Sequence, residues 1–207
     1  MDITELINDI ISREWEMFQN TVNEGGRASC QDDRDTFYGM RYGQFSAWST
    51  ELLESYRNDL ITAQEQGRNL IAEKYLRMME RSAPEEYEAQ KDLIPALTSE
   101  QRGLVDDICA EMLRQTVLLR REFPLVGGAG RPLYSAEDAI FTSVETYQRG
   151  ELGTYSAKTL RLLWEYIMGE KQQGISIARR IQENTVKHYG YASLEQAEKA
   201  MKKEMEK

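Results

Sequence analysis

Apolar residues recur along this chain at spacings of three and four almost throughout, the signature of helices that each bury one face. Ile3, Leu6, Ile7, Ile10, Ile11, Met17 and Phe18 form the first such stripe, and Asn23-Glu24-Gly25-Gly26 reads as the turn that ends it. Asp32, Asp33 or Asp35 can cap a second, long helix carrying Phe37, Phe45, Trp48, Leu52, Tyr56 and Leu60. Gly67 separates it from a third helix with Leu70, Ile71, Tyr75, Met78 and Met79, and Pro84 and Pro95 bracket a short acidic segment. Thr98 or Ser99 opens the next stripe, which runs through Leu104, Ile108, Cys109, Met112, Leu119 and Phe123. The run from Pro124 to Pro132, rich in glycine, reads as a loop. Ser135 with Asp138 has the form of a capping box and predicts a helix start. Ser156 starts a helix with Leu160, Leu163, Trp164 and Ile167 on one face, and Gly174 precedes another with Ile177, Ala178 and Ile181, closed by Gly190. Ser193 with Gln196 caps a last, strongly charged helix over 192–207 that frays at its end. No strand-like alternation interrupts the pattern. The prediction is one all-α domain over residues 1–207, a compact multi-helix bundle of about eight to nine helices without significant β-sheet.

Composition narrows the class. The 207 residues include 3 Trp, 11 Tyr and 5 Phe, too many aromatics for a disordered chain. No run of 18 apolar residues exists, which argues against a membrane span, and the acidic Met1-Asp2-Ile3-Thr4-Glu5 is unlike a secretory signal. With 26 basic against 35 acidic side chains, the net charge of –9 argues against nucleic acid and anionic membranes as partners. Residues 1–65 alone hold 13 acidic and 5 basic side chains. A solvated helix face is the plainer reading, a basic protein partner the sharper one. Cys30 and Cys109 form neither a disulfide framework nor a metal-ligand spacing, so the expected setting is cytoplasmic, with no metal site and no cofactor named by the sequence. A single histidine, His188, argues against a ferritin-like di-iron bundle, which needs two Glu-x-x-His motifs, and it lies too far from Arg179 and Arg180 for an Arg-plus-His ribonuclease motif. Its alignment with Ala178, Ile181 and Thr185 predicts a core histidine.

The informative positions are charges that fall on apolar stripes. Glu14 lies three or four residues from Ile10, Ile11, Met17 and Phe18; Arg41 stands four after Phe37 and four before Phe45; Lys74 sits between Leu70 and Met78. A lone buried charge costs several kcal/mol, about 3–5 when its partner is removed, so such groups pair, bind a ligand or reach back to water. An antiparallel hairpin of the first two helices brings Glu14 and Arg41 together, either as a structural ion pair or as part of a ligand-facing cluster. Gly39, Gly43 and Ala47 form a row of small residues spaced by four, which suits a close helix crossing, with Arg41 and Gln44 beside it. Gly-Arg occurs at Gly26-Arg27, Gly67-Arg68 and Gly130-Arg131, against about one such pair expected by chance, and arginines at helix breaks suit recognition of carboxylate or phosphate. Cys30 precedes a helix start, where the dipole favours a thiolate while Asp32 and Asp33 oppose it; it is a candidate nucleophile without a neighbouring base in sequence. Between Thr142 and Ser156, Glu145, Tyr147 and Tyr155 offer acid, base and hydrogen-bond donors.

Four strings carry a family resemblance: Glu14-Trp15-x-Met17-Phe18; Asn23-x-Gly25-Gly26-Arg27-Ala28-Ser29-Cys30-Gln31-Asp32-Asp33; Gly67-Arg68-Asn69-Leu70-x-x-Glu73-Lys74-Tyr75; and Thr142-Ser143-x-Glu145-Thr146-Tyr147. Together they resemble an uncharacterised bacterial family, domain of unknown function 4125, over essentially the whole chain. The resemblance supplies no reaction. It implies either a nucleotide-related enzyme or an accessory helical module of a nucleotidyltransferase-like domain. Its strings include residues singled out above on other grounds, Glu14 and Lys74 on the apolar stripes, Arg27 in a Gly-Arg pair and Glu145 between Thr142 and Ser156, and they add Glu73. Two expectations follow. In the first, the protein binds, or binds and transforms, a small anionic metabolite. Arg27, Arg41, Gln44, Arg68, Arg131 and Tyr155 would hold it, and Glu14, Glu73, Lys74, Glu145 and Tyr147 would do proton chemistry. In the second, it is a non-catalytic module that docks a protein.

Overall fold

Asp2 opens the first helix with a reciprocal cap: its carboxylate accepts from the Glu5 backbone N–H while Glu5 accepts from its own. That helix, α1 (Ile3–Gln19), buries the predicted stripe together with Glu14. The structure, a computed structural model, describes residues 1–22, 26–137 and 142–206. Among the described residues all regular structure is helical, in eleven α-helices and three short 3-10 turns. After a 3-10 turn at Ser29–Asp32 come α2 (Arg34–Phe45), α3 (Thr50–Glu65), α4 (Leu70–Ser82), α5 (Pro84–Gln90) and α6 (Ser99–Glu122). Then follow α7 (Pro124–Gly128), α8 (Val144–Leu152), α9 (Ala157–Gln172), α10 (Ile177–His188) and α11 (Leu194–Met205).

The count exceeds eight to nine for local reasons. The long second helix is two, because the stripe Phe45-Trp48-Leu52-Tyr56 keeps its period through a corner. Ala47 and Trp48 N–H bond to the carbonyls three residues back, and the Ser49 hydroxyl accepts from Leu52 N–H to restart the helix. The proline-led segments after Ala83 and Phe123 close short turns of helix that sequence reads as connections. At Ser135 the described residues show a 3-10 turn, Ser135–Glu137; Ser135 gives its N–H and hydroxyl to Glu145, and the following α-helix, α8, is capped by Ser143. Asp138 of the expected capping box lies outside the described residues.

Helices α2, α1, α3, α9, α6 and α10 form a closed ring, each packed on the next and α10 returning to α2. Pair α4 and α8 cover it, α4 against α1 and α8 against α6. The main core runs through Ile10, Phe45, Leu52, Leu60, Ile108, Leu160, Ile167 and Ile177. A satellite cluster joins Leu119, Phe123 and Val126 to Val186, Leu194 and Ala197, where α11 meets α7. The small-residue row marks the α2–α10 crossing: a Cβ on Gly39 would meet the His188 ring, and one on Gly43 would meet Thr185 Oγ1 and lie 3.2 Å from its backbone nitrogen. His188 itself is exposed, packed between Tyr38 and Tyr189, not in the core. Its position at the C-terminal end of α10 carries the ring past the buried stretch. No described helix is long and apolar enough to cross a membrane.

Two glycine substitutions separate packing from propensity. Gly43→Ala gains helix propensity but drives a methyl into Thr185, whose hydroxyl is anchored on the Ile181 carbonyl at 2.9 Å. It should lower stability by about 1–3 kcal/mol. Gly103→Ala, on an open face of α6, should raise it by about 0.5–1 kcal/mol. Urea denaturation of both variants checks the signs.

Candidate functional site

Arg41 projects from the middle of α2 into the space between α1 and α8, directed there by its place between Phe37 and Phe45. Its Nε and Nη2 donate to the two oxygens of Glu14 at 2.7 and 2.5 Å, a bidentate pair. On its other edge Nη1 reaches both oxygens of Glu151, at 3.0 and 3.1 Å, and Gln44 Oε1 at 2.9 Å. Lys74 Nζ, from α4, donates to Glu151 Oε2 at 2.8 Å. The Tyr56 hydroxyl donates to Glu14 at 2.6 Å, and the Tyr155 hydroxyl to Glu151 at 2.9 Å. Phe45 lies under the guanidinium, 4.7 Å from its ring centre. All four charges are buried, Glu14 completely. Two anions and two cations cancel, and every carboxylate oxygen is bonded: Glu14 Oε2 accepts from Arg41 Nε, and each of the other three oxygens accepts from two or more donors.

Electrostatics follow from that closure. Burial alone would raise the Glu151 carboxyl, but Arg41 and Lys74 outweigh it and hold the group well below the usual carboxylate range. Burial works against the charge on Arg41 and Lys74 too. Glu14 and Glu151 overcome it for the guanidinium, and Glu151 for the ammonium, so both stay charged above their ordinary range. Burial, then the adjacent carboxylates, pushes the Tyr56 and Tyr155 phenols up, which keeps them as donors.

The outer face of this cluster is aromatic. Lys74 Nζ stands 3.6 Å from the centre of the Tyr147 ring, and the Arg131 guanidinium stands 5.0 Å from it. Arg131 is exposed and bonds to the Thr142 carbonyl; among the described residues it has no carboxylate partner. Half-buried Tyr75 adjoins: burial first, then the nearby Tyr147, raises its phenol to about 12, and Cys30 and Arg131 are close enough to bear on it. Cys30 is exposed in the 3-10 turn before α2.

The structure thus gathers Glu14, Arg41, Gln44, Lys74 and Tyr155 into one buried network, with Tyr147, Arg131 and Cys30 in the layer outside it. The other candidates stand apart. Glu73 is gripped bidentately by Arg68 at 2.8 Å on both oxygens, at the start of α4. Glu145 ties Ser135 to Arg149 and Arg81. Arg27 gives its donors to Asp32, Gln19 and the Gln31 carbonyl, fastening the 26–33 segment to α1. Among the described residues no three His, Cys, Asp or Glu side chains converge to hold a metal. Sequence reasoning missed Glu151 and the Tyr56 hydroxyl. The signal was the spacing of Tyr147, Glu151 and Tyr155 by four, which sets all three on one side of α8 and the turn beyond it.

Acid should loosen this network in a defined window. Glu151 has a lowered folded pKa, so its contribution is full above about pH 4.3, its unfolded value, and fades as pH falls below that. Glu151→Gln leaves two buried cations short of an anion and should cost about 3–5 kcal/mol at pH 7. It should also flatten the acid limb of stability, measured by urea denaturation from pH 7 to 3.

A family model described as protein of unknown function (DUF4125) matches residues 4–199. No curated protein and no solved structure matches the chain. Among the described residues the family strings include Glu14 and Lys74 of the buried network, Tyr147 on its outer face and the fastened 26–33 segment, and the chain belongs to the DUF4125 family.

Proposed function

We propose that this is a cytoplasmic protein that binds a small anionic metabolite, a carboxylate or a phosphate, on the outer face of the charge network. The observation that carries the reading is Tyr147 held between two cations, of which Arg131 has no carboxylate partner among the described residues. Elsewhere the arginines of the candidate set are spent on neighbouring side chains: Arg41 on Glu14 and Glu151, Arg68 on Glu73, Arg27 on Asp32. A guanidinium whose one bond among the described residues goes to a carbonyl keeps donors for an oxyanion, and phenols beside it add to the set.

The roles divide by depth. Arg131 grips the anion, and the hydroxyls of Tyr147 and Tyr75 donate to it. Lys74 adds positive potential from beneath the ring. Glu14, Arg41, Gln44, Glu151 and Tyr155 position Lys74 and α8 without touching the ligand. Cys30, on the rim, is the one soft nucleophile near the bound molecule.

Thermal denaturation with inorganic phosphate, pyrophosphate and citrate tests this reading. A probe at 100 times its dissociation constant adds about 2.7 kcal/mol, a rise in Tm of roughly 5–10 °C for a chain of this length. Arg131→Ala, at an exposed position, should leave the unliganded melt unchanged and abolish the shift. Tyr147→Phe keeps the ring between its cations and should weaken the same probe by about five- to tenfold, the value of one hydrogen bond. A flat response of the wild-type protein to every probe overturns the proposal and turns the search to a docked protein.

A further inference from the structure

A cleft of about 170 Å³ lies between α1 and α2, and its lining includes none of the four charges of the buried network. Buried Ile11 forms its apolar lining with the half-buried rings of Trp15 and Phe37, which meet edge to face at 5.1 Å. Exposed Asn8, Ser12 and Arg34 supply polar groups around it, and Tyr38 donates its hydroxyl to Asn8 Oδ1 at 2.9 Å. That bond leaves both amide hydrogens of Asn8 available. Arg34 is the only ionised residue lining the cleft, and among the described residues it makes no ion pair. Its neighbour Asp33 is occupied in capping α2, where it accepts from Thr36 N–H.

Size and chemistry together specify an occupant. A closed apolar cavity of about 150 Å³ accepts benzene, so a space of this volume takes one aromatic ring or a short branched chain. The Trp15 and Phe37 rings suit a flat apolar body. Arg34 brings a cation and no anion into the lining, so a carboxylate finds an ion partner there and an ammonium finds none. We infer that this cleft is a binding site for a small monocarboxylate with a benzene-sized apolar body, its ring against Trp15 and Phe37 and its carboxylate on Arg34. This site is separate from the one built around Tyr147 and does not rest on it.

The test is NMR titration of the full chain with phenylacetate, benzylamine and benzyl alcohol, following the indole N–H of Trp15 assigned by a Trp15→Phe variant. Phenylacetate should move that signal saturably, and benzylamine should not. Arg34→Ala should weaken phenylacetate by about tenfold or more and leave benzyl alcohol unchanged, since only the charged contact is lost. Arg131→Ala should leave phenylacetate binding intact, which keeps this outcome distinct from that at the Tyr147 face. Equal binding of benzylamine, indifference to Arg34→Ala, or no movement of the Trp15 signal at millimolar phenylacetate overturns the assignment.

Discussion

One guanidinium organises the centre of this protein. Arg41 bridges Glu14 on α1 and Glu151 on α8, and through Glu151 it reaches Lys74 on α4. With Tyr56 from α3, five helices meet at a few polar atoms inside an otherwise apolar bundle. A charge in such surroundings tolerates only arrangements that satisfy it, so the network restricts how the helices can sit relative to one another. Apolar contacts alone are less selective: a leucine slides past its neighbours by a few tenths of an ångström at small cost, whereas a bidentate pair does not. The large penalty attaches to breaking the network, not to its presence, because removing one partner strands another in a medium that cannot solvate it.

The same constraint shapes the surface. Lys74 is fixed by Glu151, so its ammonium stays under Tyr147, and that ring in turn lies beside Arg131. A buried ion pair is thereby coupled to the half-buried Tyr147 ring and the exposed Arg131 beside it. Around it, separate pairs fasten the approaches: Arg27 holds the 26–33 segment to α1, Arg68 with Glu73 sets the start of α4, and Glu145 pins Ser135 to α8. Polar side chains that look alike in sequence therefore do different jobs, distinguished by burial and by whether their donors are already used.

Much of the fold is legible in the amino-acid order. Apolar spacing predicts the helices, and Asp2, Ser49, Asn69, Thr98, Ser143, Ser156, Ser176 and Ser193 each accept from a backbone N–H at a helix start. The extra helices arise where that reading is weakest. The corner at Ser46–Ser49 keeps the hydrophobic period unbroken, and five or seven residues after a proline carry too few apolar positions to show a stripe. His188 was drawn inward by its alignment with Ala178 and Ile181, yet the last turn of α10 runs out past the core.

The sequence by itself determined that Glu14, Arg41 and Lys74 would be buried, because each falls on the apolar face of its own helix, a local property of spacing. It also pointed to the Glu14–Arg41 pairing, since a short connection limits where α2 can lie against α1. Only the tertiary structure decided that Glu151 would join them, 110 residues from Arg41, and that Glu73 and Glu145 would be drawn to other partners. Distances between helices remote in the chain depend on how all the apolar faces pack at once. Charge pairing falls off steeply over a few ångströms, so the partners of a buried charge are settled only when that packing is complete.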